Sequence, residues 1–238
     1  MVFFTGDIHG DVTPIIEFYN RVHPTSDDLI VLLGDVGVNY YGNKTDRKGK
    51  IALNNLEVPF LCVHGNHEMR TATIQSYLMK EWNNGVVWYE PDYPNLLFAK
   101  DGEIYEINGN RYLVIGGAYS VDKYYRIMRG FRWWADEQPS EEIKAYVEQQ
   151  IATKQFDAIL SHTCPYKYIP REMFLPMIDE STVDNSTERW LDRIEEQVKY
   201  RAWFCGHWHT DKRIDKMHFL FRSFETDDIL HLDPEGRD

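Results

Sequence analysis

The sequence predicts a layered α/β fold, because short apolar runs of strand length alternate with segments of helical periodicity. The runs are continuously apolar, which is typical of strands covered on both faces. Turn residues in the middle of the chain add antiparallel hairpins, so we expect the sheet to be mixed. The predicted strands are residues 2–5, 29–33, 59–63, 113–115, 158–160 and 202–205.

Three helices are predicted between these strands. The first is expected to have Thr13 as its cap and Pro14 in its first turn, followed by an apolar side. The second is expected to begin at Ser140, where apolar residues then recur at helical spacing. Apolar residues spaced over 190–198 mark the third helix.

The middle of the chain has a different pattern. Asn-Gly and Asp-Gly pairs at 108–109 and 101–102, with alternating residues between them, predict hairpins within residues 82–112. We expect residues 82–134 to form a hairpin and lid-like substrate region, and residues 225–238 to form a partly solvated acidic tail. Because no linker or repeat interrupts the chain, residues 1–238 are predicted to form a single domain.

Charge and cysteine content restrict the function classes. The chain carries 26 Lys and Arg against 38 Asp and Glu, a net charge of −12, which disfavours a broad surface for nucleic acid or anionic membrane. Three cysteines without short spacings indicate no disulfide framework and a reducing compartment. The N-terminal residues lack a signal-peptide pattern, and no apolar run approaches the roughly 18 residues of a membrane span. We expect a cytoplasmic protein.

Residues able to bind metal follow five of the predicted strands. In open α/β sheets, ligands bind beyond the carboxyl ends of the strands, so these residues should converge if the strands share a sheet. Residues i and i+2 of an extended segment point to the same side. The two candidate ligands after the first strand, at positions 7 and 9, are therefore expected to face one point, and so are the two after the last strand, at positions 207 and 209. Seven candidate ligands offer oxygen or nitrogen atoms, and none is a thiolate. Seven are too many for one tetrahedral zinc and suit two divalent ions. They are Asp7, His9, Asp35, Asn66, His162, His207 and His209. His67 remains available for proton transfer.

Five ordered motif blocks between residues 7 and 209 resemble the calcineurin-like metallophosphoesterase superfamily. The blocks are Asp7-x-His9, Gly34-Asp35, Gly65-Asn66-His67-Glu68, His162 and Gly206-His207-x-His209. The resemblance implies a four-layered α/β/β/α sandwich.

The resemblance also implies a ligand set and a mechanism. Asp7, His9 and His209 would hold the first metal and Asn66, His162 and His207 the second, with Asp35 bridging the two. A hydroxide between the ions would attack phosphorus in line. His67 would act as general acid toward the leaving oxygen, and both Asn66 and His67 would contact the substrate. The family uses manganese, iron or zinc, of which we expect manganese.

The motifs are closest in style to the Ser/Thr protein phosphatase and diadenosine tetraphosphatase branch, but they depart from it. That branch continues Gly-Asp-x-x-Asp-Arg-Gly, whereas Gly-Val-Asn follows here at 37–39, and His64 replaces the arginine before Gly-Asn-His. Two phosphate-binding arginines and the acid that orients the catalytic histidine are therefore absent from the motifs. Arg126, Arg129 or Arg132 could supply cations, and His64 could contact substrate or pack in a supporting position.

Several smaller alternatives stay open at this level. Glu68 could orient His67 or a metal ligand, or could begin a helix. Asp122 and Asp136 are interpreted as solvated charges or local caps. The aromatic and basic segment 124–134 could stack on bases, or could form a lid or a dimer surface.

Three function classes remain. The leading hypothesis is a phosphatase for phosphomonoesters. The second is a phosphodiesterase or nuclease acting on nucleotides or nucleic-acid ends. The third is a non-catalytic module, which the complete ligand set disfavours. A phosphate ester is the expected partner, long nucleic acid and membranes are not, and the sequence predicts no oligomeric state.

Overall fold

The computed structural model describes residues 1–152, 155–174 and 180–231, and it contains two mixed sheets. The first sheet has the order β13-β1-β2-β3-β6-β5-β4, in which β1, β2, β3 and β6 are parallel and the outer strands antiparallel. Its strands are β1 Val2–Thr5, β2 Leu29–Leu32, β3 Phe60–Cys62, β4 Leu78–Trp82, β5 Gly85–Tyr89, β6 Leu96–Ala99 and β13 Glu225–Thr226.

The second sheet has the order β11-β12-β10-β9-β8-β7. Its four inner strands are parallel, and an antiparallel strand closes each edge. The strands are β7 Ile104–Ile107, β8 Asn110–Ile115, β9 Ala158–Ser161, β10 Ala202–Cys205, β11 Lys212–Ile214 and β12 Met217–Phe219. Each predicted apolar run therefore overlaps a strand, with residues 29–33 and 59–63 extending beyond β2 and β3, and the mixed character of the sheets is confirmed.

The described residues form five α-helices and several short 3-10 turns. The helices are α1 Thr13–Val22, α2 Lys44–Asn54, α3 Lys123–Arg129, α4 Glu141–Ile151 and α5 Ser186–Glu195. The turns are Thr71–Thr73, Tyr166–Tyr168, Arg171–Met173, Glu180–Thr182 and Asp227–His231. The longest helices have 11 residues, and none in the described part of the chain has the length and apolar character needed to cross a membrane.

Three apolar cores separate four layers. The two sheets pack face to face around residues such as Phe4 and Phe204, whose rings stack with centroids 4.2 Å apart. On the outer face of the first sheet, α1 contributes Ile15 to a second core. On the outer face of the second sheet, α4 and α5 contribute Val147 and Trp190 to a third. This arrangement confirms the α/β/β/α sandwich.

Helix boundaries differ from the predictions in three places. Thr13 is the first residue of α1 rather than its cap, and its N–H donates to the Asp11 carboxylate. Val198 lies beyond the end of α5. The helix α2 was not predicted, because it buries only Asp46, Lys50 and Leu53 and so lacks an apolar side. The cap at Ser140 is confirmed, since its hydroxyl accepts from the Ile143 N–H.

Two connections also differ. The Asp101–Gly102 turn carries the chain from β6 in the first sheet to β7 in the second, and is therefore not a hairpin. The start of the predicted acidic tail is structural, because β13 pairs with β1 and Leu230 is fully buried. The rest of that tail, residues 232–238, lies outside the described residues.

Candidate metal centre

Loops from both sheets meet at one end of the sandwich. The parallel strands β1, β2 and β3 of the first sheet and β9 and β10 of the second all end there. Contacts between the loops join the sheets: the His207 N–H donates to the Asp7 carboxylate, and His162 Nδ1 lies 2.7 Å from the Leu33 carbonyl. All seven predicted ligands lie at this junction.

The backbone is unusual at four of these ligands. His9, Asp35, His207 and His209 have positive φ angles of 47°, 47°, 66° and 48°. Such left-handed conformations are disfavoured for residues with a Cβ and persist only where the surrounding structure enforces them. The four residues are therefore held in place by the loops that carry them.

Asp7, His9 and His209 form the first ligand group. The His209 Nε2 atom lies 3.2 Å from Asp7 Oδ2 and 2.9 Å from His9 Nε2. The Asp7 carboxylate is 1% exposed and accepts the His207 backbone N–H at 2.9 Å. Three ligand atoms thus face a common point at the rim of the cleft.

Asp35 lies between this group and the second one. Its Oδ2 is 3.9 Å from His9 Nδ1, while its Oδ1 is 3.6 Å from His162 Nε2. The same carboxylate accepts the His67 backbone N–H at 2.7 Å. Burial would raise the pKa of Asp35, but the neighbouring His162, His67 and His9 outweigh burial and lower that pKa. Asp35 is placed to be shared between two ions.

Asn66 is the centre of the second ligand group. Its Oδ1 lies 2.8 Å from His162 Nε2 and 3.0 Å from His207 Nδ1. Its Nδ2 donates to Ser120 Oγ at 2.8 Å, and that hydroxyl donates to the Glu137 carboxylate. Because Ser120 gives its proton to Glu137, it must accept from the amide, which directs the Asn66 oxygen toward the histidines.

These donor atoms fit divalent cations. The Leu33 carbonyl can only accept, so neutral His162 carries its proton on Nδ1 and presents a lone pair at Nε2 to the Asn66 oxygen. Two lone pairs 2.8 Å apart suit a shared cation. The Asp7 and Asp35 carboxylates are both nearly fully buried, and within the described ranges neither pairs with Lys or Arg. Burial also holds the pKa of His207 well below its usual value, which keeps that imidazole neutral.

Two glycines allow the loops to approach this closely. A Cβ added at Gly206 would lie 2.2 Å from Asp7 Oδ1, and one added at Gly65 would lie 2.1 Å from Asp35 Oδ1. Glycine is required at both positions for space, since any side chain would displace a carboxylate ligand.

His67 lies beside the ligand groups and between two charged side chains. Its Nδ1 is 3.6 Å from Asp35 Oδ2 and 3.0 Å from Arg126 Nη2. Its Nε2 faces Asp122 Oδ1 at 3.6 Å. Arg126 Nε donates to both oxygens of Asp122 at 2.8 and 2.9 Å, and Arg126 Nη1 lies 3.3 Å from the Tyr40 hydroxyl.

Comparisons with known proteins bear on the family and the fold of this chain. The family model for calcineurin-like phosphoesterase matches residues 1–211, most of the chain. The chain belongs to the calcineurin-like phosphoesterase family. A solved crystal structure shares its fold with a TM-score of 0.54 at 12% identity, covering 92% of this chain and 88% of that chain. The crystal structure of TT1561 from Thermus thermophilus has a TM-score of 0.48 at 12% identity, with coverage of 87% and 80%. No curated protein matches significantly.

In this phosphoesterase, a cleft of 430 Å³ opens over the ligand groups. Asp35, Asn66 and His67 form part of its floor, and apolar side chains form a wall. Its other lining residues are Val121, Asp122, Met173, Phe174, His207, Trp208 and His209.

Two of the predicted substrate-binding residues lie away from this cleft. His64 lines a separate cavity of 280 Å³ with Arg70 and Trp88, on the far side of its loop. Burial and the charge of Arg70 hold the pKa of His64 well below its usual value. Arg129 is exposed, and its guanidinium lies over the Tyr125 ring at 5.5 Å from the centroid. Of the three arginines considered, Arg126 is the one in contact with His67.

Glu68 has neither of the roles considered for it. It is 1% exposed, and its Oε1 accepts the Gly65 N–H at 2.9 Å. Burial raises its pKa to about 8, against the neighbouring backbone N–H groups of Gly65, Gly37 and Val36, which lower that pKa. Glu68 therefore holds the loop that carries Asn66 from within, and the nearest helical turn begins only at Thr71.

The sequence analysis missed Ser120, Asp122 and Glu137. Asp122 is not merely a solvated charge or cap, since it contacts both His67 and Arg126. A signal was present: β8 is parallel to β9 and ends at the same edge, so the residues after β8 also reach the site. Ligands bind beyond the carboxyl ends of parallel strands, and applying this rule to β8 as well would have found Ser120 and Asp122.

The Gly206→Ala variant is expected to bind Mn²⁺ at least about tenfold more weakly, because the new Cβ displaces Asp7. Isothermal titration calorimetry measures this change. Gly109→Ala is the control: no atom lies within 4 Å there, so it should cost only the roughly 1–2 kcal/mol of a positive φ and leave metal binding intact. Unchanged Mn²⁺ affinity in Gly206→Ala would contradict the assignment of Asp7.

Ser120→Ala frees the Asn66 amide to rotate, so the ion held by the Asn66 group should bind about 10–100-fold more weakly than in the parent. Binding of the other ion should not change, and a two-site calorimetric titration separates them. Ser140→Ala, which removes a helix cap far from the site, should lower stability without affecting either ion. Equal loss at both ions would count against the orienting role of Ser120.

Proposed function

We propose that this calcineurin-like phosphoesterase is a binuclear metal-dependent hydrolase of phosphomonoesters. The observation that carries the proposal is the pairing of a cation and a proton carrier beside the ligand groups: Arg126 and His67 lie 3.0 Å apart. A monoester dianion needs more cationic contact than a diester. Arg126 supplies that contact although the motif arginines are absent.

The donor set supports two ions. Asp7, His9 and His209 would hold one, the Asn66 group would hold the other, and Asp35 would lie between them. Two bound divalent ions would generate a nucleophile from water at neutral pH and neutralise charge developing on the phosphoryl oxygens. Nitrogen and oxygen donors without thiolate are compatible with manganese, our expected metal.

His67 is the proposed general acid, and its two nitrogens have different tasks. The Nδ1 atom lies 3.6 Å from Asp35 Oδ2 and 3.0 Å from Arg126 Nη2, so it is the nitrogen placed to reach a phosphate ester bound beside the ligand groups. A guanidinium can only donate hydrogen bonds, so the Nδ1 atom that accepts from Arg126 carries no proton. This lasts until a phosphoryl oxygen of the substrate accepts the Arg126 hydrogen bond instead. Nδ1 is then free to carry the proton that the leaving oxygen takes up.

Asp122 faces the other nitrogen. Burial opposes its ionisation, but His67 and Arg126 outweigh burial and lower the pKa of Asp122 to about 2. The carboxylate therefore stays ionised at neutral pH, and its negative charge lies 3.6 Å from His67 Nε2. Asp122 thus takes the place of the acid that is absent from the Gly34-Asp35 motif.

The three cysteines are free and buried, which supports a reducing compartment. Burial raises the pKa of all three thiols, so none is suited to bind metal. We propose a cytoplasmic location on this ground.

The function is tested by comparing p-nitrophenyl phosphate with bis-p-nitrophenyl phosphate on one Mn²⁺-loaded preparation. We expect the monoester to be hydrolysed with the higher kcat/KM. His67→Ala should retain both ions by metal analysis and lose about 10²–10⁴-fold in kcat on an alkyl phosphate, whose leaving oxygen needs a proton. A strong diester preference would replace the proposal with a phosphodiesterase, and a chain that binds no divalent ion would indicate a non-catalytic module.

Asp122→Asn removes the negative charge that faces His67 Nε2 at 3.6 Å. We expect kcat to fall at least about tenfold on an alkyl phosphate, whose leaving oxygen needs a proton, and much less on p-nitrophenyl phosphate. Steady-state rates on the two esters give the ratio, and Asp136→Asn, an exposed carboxylate nearby, is the control. Equal loss on both esters would show a structural role instead.

A further inference from the structure

The short helix α3 exposes apolar side chains directly beside the cleft. None of its seven residues is buried. Among the described residues, twelve large apolar side chains are exposed, and five of them lie between positions 124 and 131. Tyr124 is 64% exposed, Met128 80% and Phe131 52%. A helix with this composition and no packed face indicates a surface for binding.

The same segment is basic in an acidic protein. Residues 122–132 contain four cations and one carboxylate, a net charge of +3 in a chain of −12. The carboxylate is Asp122, which Arg126 already neutralises. Within the described ranges Arg129 and Arg132 form no salt bridge, so their charges are available to a ligand. The aromatic–basic surface consists of Tyr124, Tyr125, Arg129, Phe131 and Arg132.

The aromatic–basic surface lies on the side of the cleft where the leaving group of the substrate is expected. Asp122 and Arg126, at the start and middle of the segment, both contact His67. If His67 protonates the leaving oxygen, the leaving group lies next to α3 rather than over the metal ligands. The cleft of 430 Å³ accommodates the phosphate and its nearest atoms, so a longer leaving group extends onto the aromatic–basic surface.

We propose that the aromatic–basic surface binds a short single strand of nucleic acid whose terminal phosphate enters the cleft. The inference rests on the proposed phosphomonoesterase function and names its substrate class. Single strands present a negative charge and a flat ring at every unit, and proteins bind them with cations interleaved with exposed aromatic rings. The surface is short, and the rest of the protein is acidic, which restricts the substrate to a strand of a few nucleotides.

The reaction at such an end balances without a co-reactant other than water. A water oxygen bonds to phosphorus, and the bond between phosphorus and the terminal sugar oxygen breaks. One proton of the water is transferred to that sugar oxygen through His67. The products are inorganic phosphate and a strand with a terminal hydroxyl group.

A phosphopeptide fits the surface less well. It offers one dianion, which the cleft itself takes up, and its backbone carries no regular charge for Arg129 and Arg132. A second copy of this chain would have to present a strongly acidic, apolar patch, and within the described residues the other exposed apolar side chains are scattered. Both occupants are outcomes of the test below.

The test uses the double variant Tyr124→Ala/Arg132→Gln, since both side chains are exposed and neither contacts the catalytic residues. The control is Met79→Ala/Lys48→Gln, which removes a similarly exposed apolar group and a cation elsewhere. Fluorescence anisotropy of a labelled 5′-phosphorylated hexathymidylate, with each protein carrying His67→Ala and loaded with Mn²⁺, measures binding with little turnover. Phosphate release from 5′- and 3′-phosphorylated hexathymidylates and from p-nitrophenyl phosphate measures activity in Mn²⁺.

We expect the surface variant to bind the labelled strand about tenfold more weakly and to lose a similar factor in kcat/KM on the better of the two strands. Its activity on p-nitrophenyl phosphate should stay within about twofold of the parent, and the control variant should match the parent in every assay. If no phosphate ester is hydrolysed but the anisotropy loss is seen, the surface is supported and the proposed function fails.

Other outcomes overturn the surface itself. One is hydrolysis of p-nitrophenyl phosphate without binding or hydrolysis of either strand. Another is a phosphoserine peptide whose hydrolysis is faster than that of the strands and depends on Tyr124 and Arg132. A third is sedimentation showing that the parent dimerises and the surface variant does not, with strand binding unaffected.

Discussion

Two nearly fully buried carboxylates, Asp7 and Asp35, are the constraint on which the site depends. Buried charges are costly unless they are paired. Here the described residues provide no lysine or arginine partner, only backbone N–H groups and imidazole rings. The imidazoles offer lone pairs to the same points as the carboxylates. The fold therefore concentrates electron-pair donors that divalent cations can satisfy, and glycines at 65 and 206 keep the loops close enough to do so.

The four-layer architecture explains how distant residues reach this point. Parallel strands in each sheet end at the same edge, and the two sheets pack face to face, so loops from positions 7, 35, 66, 162 and 207 meet across the junction. This convergence requires four of the ligand residues to adopt a left-handed backbone conformation with positive φ, which is energetically unfavourable. Supporting contacts hold the loops: Glu68 accepts the Gly65 N–H within the third loop, and Glu137 fixes Asn66 through Ser120.

The segment after β8 compensates for what the motifs lack. The family branch closest in motif style places its orienting acid and an arginine in the loop after the second strand, where this chain has Gly-Val-Asn. In this structure, Asp122 and Arg126 approach His67 from the opposite sheet and are joined to each other by two hydrogen bonds. The same segment exposes aromatic and basic side chains toward solvent. The segment that contains this short helix thus links His67, the proposed general acid, to the surface proposed for substrate recognition.

The sequence alone determined the layered fold, the family and the set of metal-capable residues, because each of these follows from short segments of neighbouring residues. Short apolar runs predict the strands, and side chains able to bind metal follow the ends of five of them. Tertiary structure decided which side chains enter the cleft. His64 stands next to a ligand loop and yet lines another cavity, whereas Asp122 and Ser120, without any motif, contact His67 and Asn66. The reason is physical: direction after a strand end depends on turn geometry and on the facing sheet, and neither is encoded in the spacing of residues within one segment.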